Sequence, residues 1–140
     1  MLKNIPPIIS PELLKALDEM GHADELIIAD GNFPSSSLSD NVIRLDGHGS
    51  CEVLEAVLKL FPLDPYQDNA FLMEVVPGDP VETPIWKDYE EIAKKGDKNF
   101  KGFKQIERFA FYERTKKVYC VIATSEKSLY ANILLKKGVI

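Results

Sequence analysis

The chain has 140 residues, 45% of them hydrophobic, which fits one globular domain over residues 1–140 that buries its own core. Its net charge of −5 comes from interspersed acids and bases, so no basic stripe points to nucleic acid or to an anionic membrane. No apolar run approaches the ~20 residues of a membrane span, and Pro6-Pro7 interrupts the first apolar segment, so we expect no signal peptide and a cytoplasmic protein.

Helices and short apolar strands alternate along the chain. The first half predicts a helix opened by Ser10-Pro11 and ended by Gly21, a strand over 25–29, a loop over 31–41, a strand over 42–46, and a helix over 50–61 with Ser50 as its cap. The second half predicts a strand over 70–76, a helix over 84–96, a helix over 105–117, a strand over 118–124, and an ambiguous segment over 130–135 that favours a strand. This order predicts an α/β fold of three layers, with a mostly buried sheet and helices on both faces.

Two cysteines, Cys51 and Cys120, lie in apolar segments without the spacing of metal ligands. They are interpreted as buried free thiols in a reducing compartment. The sequence contains no phosphate-binding loop, because "DGHGS" at 46–50 lacks a lysine, and it contains neither a GxSxG nor an HExxH motif. With two histidines in the chain a His-rich metal site is excluded. Ligation through His22, His48 and carboxylates stays open, but zinc sites use three or four convergent ligands, so we expect neither a metal nor an organic cofactor.

The segment 21–37, "GHADELIIADGNFPSSS", places a histidine and an aspartate at the two ends of the first strand. His22 is either a helix-terminus histidine near the carbonyl end of the dipole or an imidazole that passes a proton. Asp30 is either a turn aspartate that binds its own backbone amides or a binding residue. Spacing alone does not decide between these interpretations.

Other candidates lie at predicted element ends. Arg108 belongs either to a solvated helix start or to a site, and Tyr130 and Asn132 would share one face of a strand. His48, between two glycines, is interpreted as a turn residue. In open α/β sheets, polar residues that do chemistry collect in the loops at strand ends.

Four segments together resemble the sugar mutarotase family, whose branches include L-fucose mutarotase and D-ribose pyranase. They are "SPELLKALDEMGHADELIIADGNFPS", "VIRLDG", "RFAFYERTKK" and "SLYANILLKKGV", in the same order and with similar spacing over residues 1–140. The segment "RFAFYER" at 108–114 resembles the fucose branch, whereas the ribose branch has a histidine-containing segment there. Gly31 is a small departure, since fucose-branch relatives often carry alanine or another residue at that position.

The resemblance implies an isomerase that interconverts the α- and β-anomers of L-fucose without a cofactor. It implies His22 as the proton-transferring residue, and Asp30, Arg108, Tyr130, Ala131 and Asn132 as sugar-binding residues. Tyr130 is also the candidate for the second proton transfer, for which its pKa would have to fall from about 10. The resemblance further implies a homo-oligomer, often a decamer, with sites near subunit contacts.

Three alternatives stay open at this point. The chain could be a D-ribose pyranase that acts on another sugar, a non-catalytic sugar-binding module, or a structural oligomer without a ligand. Eight residues separate His22 from Asp30, and an extended chain carries them as far as ~26 Å apart. Either the chain folds back around "HADE", or the site combines residues from two subunits.

Overall fold

The computed structural model describes residues 1–140, which form one six-stranded sheet with five helices packed around it. The helices are α1 (Pro11–Glu19), α2 (Ser35–Leu38), α3 (Ser50–Leu58), α4 (Ile85–Gly96) and α5 (Arg108–Thr115). The strands are β1 (Glu25–Ala29), β2 (Val42–Leu45), β3 (Ala70–Met73), β4 (Lys104–Ile106), β5 (Cys120–Thr124) and β6 (Ile133–Lys136). No helix combines the length and the apolarity that crossing a bilayer requires.

One strand of the sheet is reversed relative to the other five. The strand order is β2-β5-β1-β6-β3-β4, with parallel pairing of β2 to β5, β5 to β1 and β3 to β4. The sixth strand runs antiparallel to both of its neighbours, β1 and β3. The carboxyl ends of five strands and the start of β6 therefore share one edge of the sheet, which we call the carboxyl edge. The opposite edge, where β6 ends, is called the amino edge.

Both faces of the sheet are covered, because successive side chains of a strand point to opposite faces. In β1, Leu26 and Ile28 belong to a core of 26 buried residues that includes side chains of α1, α3 and α4. Ile27 and Ala29 belong to a second core of eight residues that includes Phe111 of α5. The predicted α/β class with helices on both faces is confirmed.

Several element boundaries differ from the predictions. A short helix, α2, lies inside the predicted loop, where the amide of Ser39 donates to the carbonyl of Ser35 at 3.0 Å. The predicted helix over 105–117 is wrong in its first residues, because β4 pairs in parallel with β3 and α5 begins only at Arg108. Glu107 follows the strand and caps α5 by accepting from the amide of Ala110.

Two further expectations need correction. The N-cap of α3 is Gly49, so Ser50 is not the cap but the first residue of the helix. Both cysteines are free, but only Cys120 is buried, whereas Cys51 is half-buried. Burial raises the pKa of the Cys51 thiol to about 11 and that of Cys120 to about 12, so both stay protonated at neutral pH and are not activated nucleophiles.

Gly138 packs the chain end against the segment before β3. Its amide donates to the carbonyl of Pro62 at 2.8 Å, and a Cβ at this position would lie 2.4 Å from the carbonyl oxygen of Leu63. Gly138→Ala is therefore expected to lower the free energy of unfolding by about 1–3 kcal/mol, measured by urea denaturation. The matched control is Gly21→Ala, whose Cβ would meet nothing closer than Asp24 Oδ2 at 3.7 Å. Equal stability of the two variants would contradict this packing.

Candidate active site

A polar cleft of about 230 Å³ opens at the carboxyl edge of the sheet. Its polar lining consists of Asp30, Asn32, Asp79, Arg108, Tyr112, Tyr130 and Asn132, and its apolar lining of Phe33, Met73 and Leu129. Four of the six predicted site residues line the cleft, and a fifth, Ala131, lies buried between Tyr130 and Asn132. The sixth, His22, lies elsewhere. The fold brings the five together because β6 begins where the parallel strands end.

Asp30 and Asn132 form the buried floor of the cleft. The amide of Asp30 donates to Asn132 Oδ1 at 2.8 Å, and Asn132 Nδ2 donates back to Asp30 Oδ2 at 3.1 Å. Asp30 Oδ2 also accepts from the amide of Ala131 at 3.3 Å, and Asp30 Oδ1 accepts from the amide of Asn32 at 2.9 Å. The Asn32 contact is the local turn interaction predicted for Asp30, while the others fix it to the start of β6.

Asp30 is 5% exposed, and its surroundings act on the pKa of its carboxyl in two opposite directions. Burial raises its pKa above the ordinary value, and the hydrogen bonds from Asn32, Ala131 and Asn132 offset part of that rise. Each of these donors favours the ionised form, so the floor of the cleft is an oriented hydrogen-bond acceptor.

Tyr130 holds an unusual backbone conformation above this floor. Its φ is +55°, a left-handed value that is uncommon for a residue other than glycine. This kink explains why the predicted strand over 130–135 begins only at Ile133. Trp86 Nε1 donates to the carbonyl of Tyr130 at 2.8 Å, and the Tyr89 hydroxyl donates to the carbonyl of Ala131 at 3.2 Å, so helix α4 holds the kink in place.

The phenol of Tyr130 donates to Asp79 Oδ2 at 2.7 Å. This hydrogen bond raises the pKa of Tyr130. The direction is opposite to the fall that a free phenolate base would need.

Arg108 supplies a cation at the mouth of the cleft. It is the first residue of α5, and its Nε donates to the Tyr112 hydroxyl at 3.2 Å. Its guanidinium carbon lies 5.3 Å from the ring centre of Phe109 and 5.5 Å from that of Tyr112. The aromatic rings hold the cation while leaving its other donors exposed.

His22 lies at the amino edge, away from this cleft. Its Nε2 is 3.3 Å from Asp64 Oδ1, and its ring meets Tyr66 edge-on with centroids 5.7 Å apart. It lines a hollow of about 470 Å³ together with chain-end residues such as Lys137 and Gly138. The two regions are separated by the length of β1, which is about 16 Å for an extended strand of five residues.

Within one chain, the alternative in which the chain folds back around "HADE" to bring His22 to Asp30 does not occur, because the two residues lie beyond opposite ends of β1. The imidazole hydrogen-bonds to Asp64 rather than to Asp30. Asp64, which contacts the ring, was not predicted as a site residue, and neither was Asp79. Asp64 precedes a proline in "LDPYQDN" and Asp79 precedes one in "PGDP", patterns that indicate turns and carry no functional signal.

No three of the chain's histidine, cysteine and acidic side chains converge to hold a metal ion. Ser50 and Tyr89 form a buried polar contact behind the start of β6. The hydroxyl of Ser50 hydrogen-bonds with that of Tyr89 and donates to Glu126 Oε2 at 2.9 Å, so α3 is tied to the loop before β6.

Fold and site together define a small α/β protein with a polar cleft at the carboxyl edge of a sheet that contains one reversed strand. The sequence matches the RbsD / FucU transport protein family over residues 3–140, and the chain belongs to that family. It is 49% identical to a fucose mutarotase of Danio rerio, over 100% of this chain and 95% of that protein.

Solved structures agree with this assignment. FucU from Bifidobacterium longum superimposes with a TM-score of 0.95 at 55% identity, covering 99% of both chains. A fucose mutarotase from Streptococcus pneumoniae, solved in complex with L-fucose, superimposes with a TM-score of 0.92 at 47% identity, again covering 99% of both chains. RbsD from Bacillus subtilis, solved with D-ribose, shares the fold with a TM-score of 0.78 at 20% identity, covering 100% of this chain and 99% of that one.

The hydrogen bonds between Asp30 and Asn132 predict how the stability of an Asn132→Asp variant depends on pH. Asn132→Asp replaces the amide donor with a second carboxyl that faces Asp30 Oδ2, so the two acids must share a proton in the fold. Folded-state pKa values above the unfolded ones mean that stability falls as pH rises through them. We expect the melting temperature of the variant to drop at pH 7 and to recover towards pH 4.

The control for this experiment is Asn4→Asp, the same change at an exposed residue with a φ of +64°. It is expected to keep the wild-type pH profile of stability. An Asn132→Asp profile parallel to wild type would contradict the paired geometry of the cleft floor.

Proposed function

We propose that the protein is an L-fucose mutarotase, a cofactor-free isomerase that exchanges the α- and β-anomers of L-fucose. The observation that carries this proposal is the full-length similarity to fucose mutarotases. One of these relatives is 47% identical to this chain, and its structure was solved in complex with L-fucose. The mutarotase domain spans residues 1–140 in this proposal, and the protein works in the cytoplasm. The cleft supports the assignment, since a carboxylate, an amide and a guanidinium suit a molecule rich in hydroxyl groups.

The reaction moves protons and breaks one ring bond. The anomeric hydroxyl loses its proton, the C1–O5 bond opens, and O5 gains a proton, which gives the open-chain aldehyde. Rotation about C1–C2 presents the other face of the aldehyde. O5 then loses its proton as it attacks C1, and the new anomeric oxygen gains one. No electrons are transferred, so one proton donor and one acceptor suffice.

In this proposal His22 protonates O5 on opening and takes the proton back on closing. An imidazole can serve in both directions, because it has both a proton-donating and a proton-accepting form. Asp30 and Asn132 hold sugar hydroxyls at the buried floor, and Arg108 holds another at the mouth. The oriented acceptor and donors fix which face of C1 is re-formed.

Tyr130 acts in this scheme together with Asp79. Because Asp79 accepts from the phenol, the proton of the anomeric hydroxyl can pass to Tyr130 Oη as the phenolic proton passes to Asp79. This relay replaces the free phenolate that the sequence suggested. The carboxylate of Asp79 thereby supplies the base, and the sugar contacts only the tyrosine.

The sugar site is completed between two subunits of a homo-oligomer, for which a decamer is the expected size. The support is that His22 and the cleft lie at opposite edges of one chain. Exposed apolar side chains flank both regions: Phe109 (65% exposed) and Leu129 (50%) lie by the cleft, and Tyr66 (72%) lies by His22. Apolar groups of this kind beside a half-site are typical of subunit contacts.

His22→Gln is expected to slow L-fucose anomer exchange at least tenfold, because a positioned acid–base group contributes about 10²–10⁴ in rate. Saturation transfer between the anomeric NMR signals measures the exchange. The matched control is His48→Gln, since the side chain of His48 is 44% exposed, much like that of His22, and its side-chain contact is with Glu52 at 3.1 Å. Wild-type exchange in His22→Gln would refute the role of His22.

The same measurement on D-ribose and D-galactose separates the branches of the family. Fast exchange of L-fucose relative to D-ribose supports the proposal. Faster exchange of D-ribose would favour the pyranase, and tight L-fucose binding with unchanged exchange would favour a sugar-binding module.

Complementation tests the two-subunit site. His22→Gln and Arg108→Ala are each expected to be nearly inactive alone. In a co-expressed, randomly mixed oligomer, about a quarter of the sites would combine an intact His22 from one chain with an intact Arg108 from another. Recovery of about a quarter of wild-type exchange supports the shared site. No recovery in a verified mixed oligomer would show that each chain uses its own His22.

A further inference from the structure

We propose that Asp64 is a positioning residue that fixes the ring and the tautomer of His22, so that Nδ1 is the nitrogen that exchanges protons with the sugar. This inference rests on the proposed role of His22 in anomer exchange. It adds a residue outside the cleft and assigns the reacting atom of the imidazole.

The contact between the two side chains joins an exposed group to a buried one. The side chain of His22 is 45% exposed, whereas that of Asp64 is 1% exposed. Asp64 Oδ1 accepts from His22 Nε2 at 3.3 Å and from the amide of Tyr66 at 3.0 Å. His22 Nδ1 makes no hydrogen bond within the chain. One ring nitrogen is therefore held by the protein, and the other is free for a ligand.

The backbone of Asp64 is fixed on both sides. Its amide donates to the carbonyl of Lys136 at 3.1 Å, and its carbonyl accepts from Asn69 Nδ2 at 2.9 Å. Leu63 forms an antiparallel bridge with Lys137, directly after β6. A carboxylate held this firmly defines the direction of the ring that it binds.

The protonation state of the pair follows from the charge on Asp64. Burial alone would raise the pKa of Asp64, but the amide of Tyr66 and the imidazole of His22 outweigh it, and the pKa lies below its ordinary value. Asp64 is therefore ionised at neutral pH and can only accept hydrogen bonds. The neutral imidazole must place its proton on Nε2, which leaves the lone pair on Nδ1. The proton that O5 gains on opening is therefore the one that Nδ1 carries in the imidazolium form, and the Nδ1 lone pair takes it back on closing.

Other charged groups near the ring are engaged elsewhere. The ammonium of Lys137 donates to the carbonyls of Leu17 and Met20, and Asp24 Oδ2 accepts from the amide of Gly21 at 2.7 Å. Lys136 donates to Gln67 Oε1 at 2.8 Å, and Asp18 lines the same hollow as His22 without contacting its ring. Asp64 is the acid that touches the imidazole.

Nitrogen-15 NMR of the two histidines tests the tautomer directly in the wild-type protein without sugar. His48→Gln assigns the signals. We expect neutral His22 to carry its proton on Nε2. A proton predominantly on Nδ1 would overturn the proposal, and this readout does not depend on whether any Asp64 variant folds.

Asp64→Asn is expected to reduce kcat for anomer exchange about ten- to hundredfold with KM changed by less than about twofold, because the sugar does not touch Asp64. The neutral amide can donate to Nε2, so we expect the His22 proton to shift towards Nδ1. Asp68→Asn is the matched control, because it removes one exposed charge from the same loop. It is expected to leave both readouts unchanged.

The outcomes separate this inference from the function on which it rests. An inactive His22→Gln with a fully active Asp64→Asn, or an unchanged tautomer in Asp64→Asn, overturns the positioning role alone. An active His22→Gln overturns the role of His22 in catalysis, whatever the tautomer is.

Discussion

The reversed direction of β6 is the constraint on which the site depends. Because β6 runs against β1 and β3, its first residues meet the carboxyl ends of the parallel strands. That reversal lets Asn132 close on Asp30 from 102 residues away, through one hydrogen bond in each direction. It also sends the other end of β6 to the amino edge, where Lys136 holds the backbone of Asp64. One strand thus organises the cleft and the neighbourhood of His22.

Asp30 and Asp64 are both buried, at opposite edges of the sheet, but their surroundings shift the two carboxyl pKa values in opposite directions. Burial raises the pKa of Asp30, which has no cation beside it, and its contacts are amides. Burial acts on Asp64 as well, but the Tyr66 amide and the imidazole of His22 outweigh it and the pKa falls. By linkage, Asp64 stabilises the fold above its unfolded pKa, and that stabilisation is lost as pH falls through its folded pKa. Asp30 contributes in the opposite direction.

The sequence predicts most of the fold because its local signals agree with the packing. The continuous apolar run of β1 predicts a doubly covered strand, and Ser10 caps α1 through the amide of Leu13 at 3.1 Å as the pattern indicates. The predictions fail where tertiary contacts decide. Pairing with β3 makes residues 104–106 a strand. Hydrogen bonds from Trp86 and Tyr89 hold the backbone at Tyr130 and Ala131 in a kink that the local sequence does not predict.

The candidate site shows the same division. Two signals point to the residues of the cleft: polar side chains near the ends of predicted elements, and the resemblance of four segments to a known family. The fold gathers these residues at one edge of the sheet: Asp30, Arg108, Tyr130, Ala131 and Asn132. The sequence does not point to Asp64 or Asp79, because each contacts a side chain 42 or 51 residues away, and an aspartate before a proline predicts a turn. Chain length limits the distance from His22 to Asp30 without fixing it, and the path of β1 places the two residues at opposite edges of the sheet.

A crystal structure of the assembled protein with L-fucose tests the shared site most directly. We expect the sugar to contact Asp30, Arg108 and Asn132 of one subunit, with Nδ1 of a neighbouring subunit's imidazole within hydrogen-bond distance of the ring oxygen. A sugar bound in the cleft with no imidazole beside its ring oxygen would contradict the central claim.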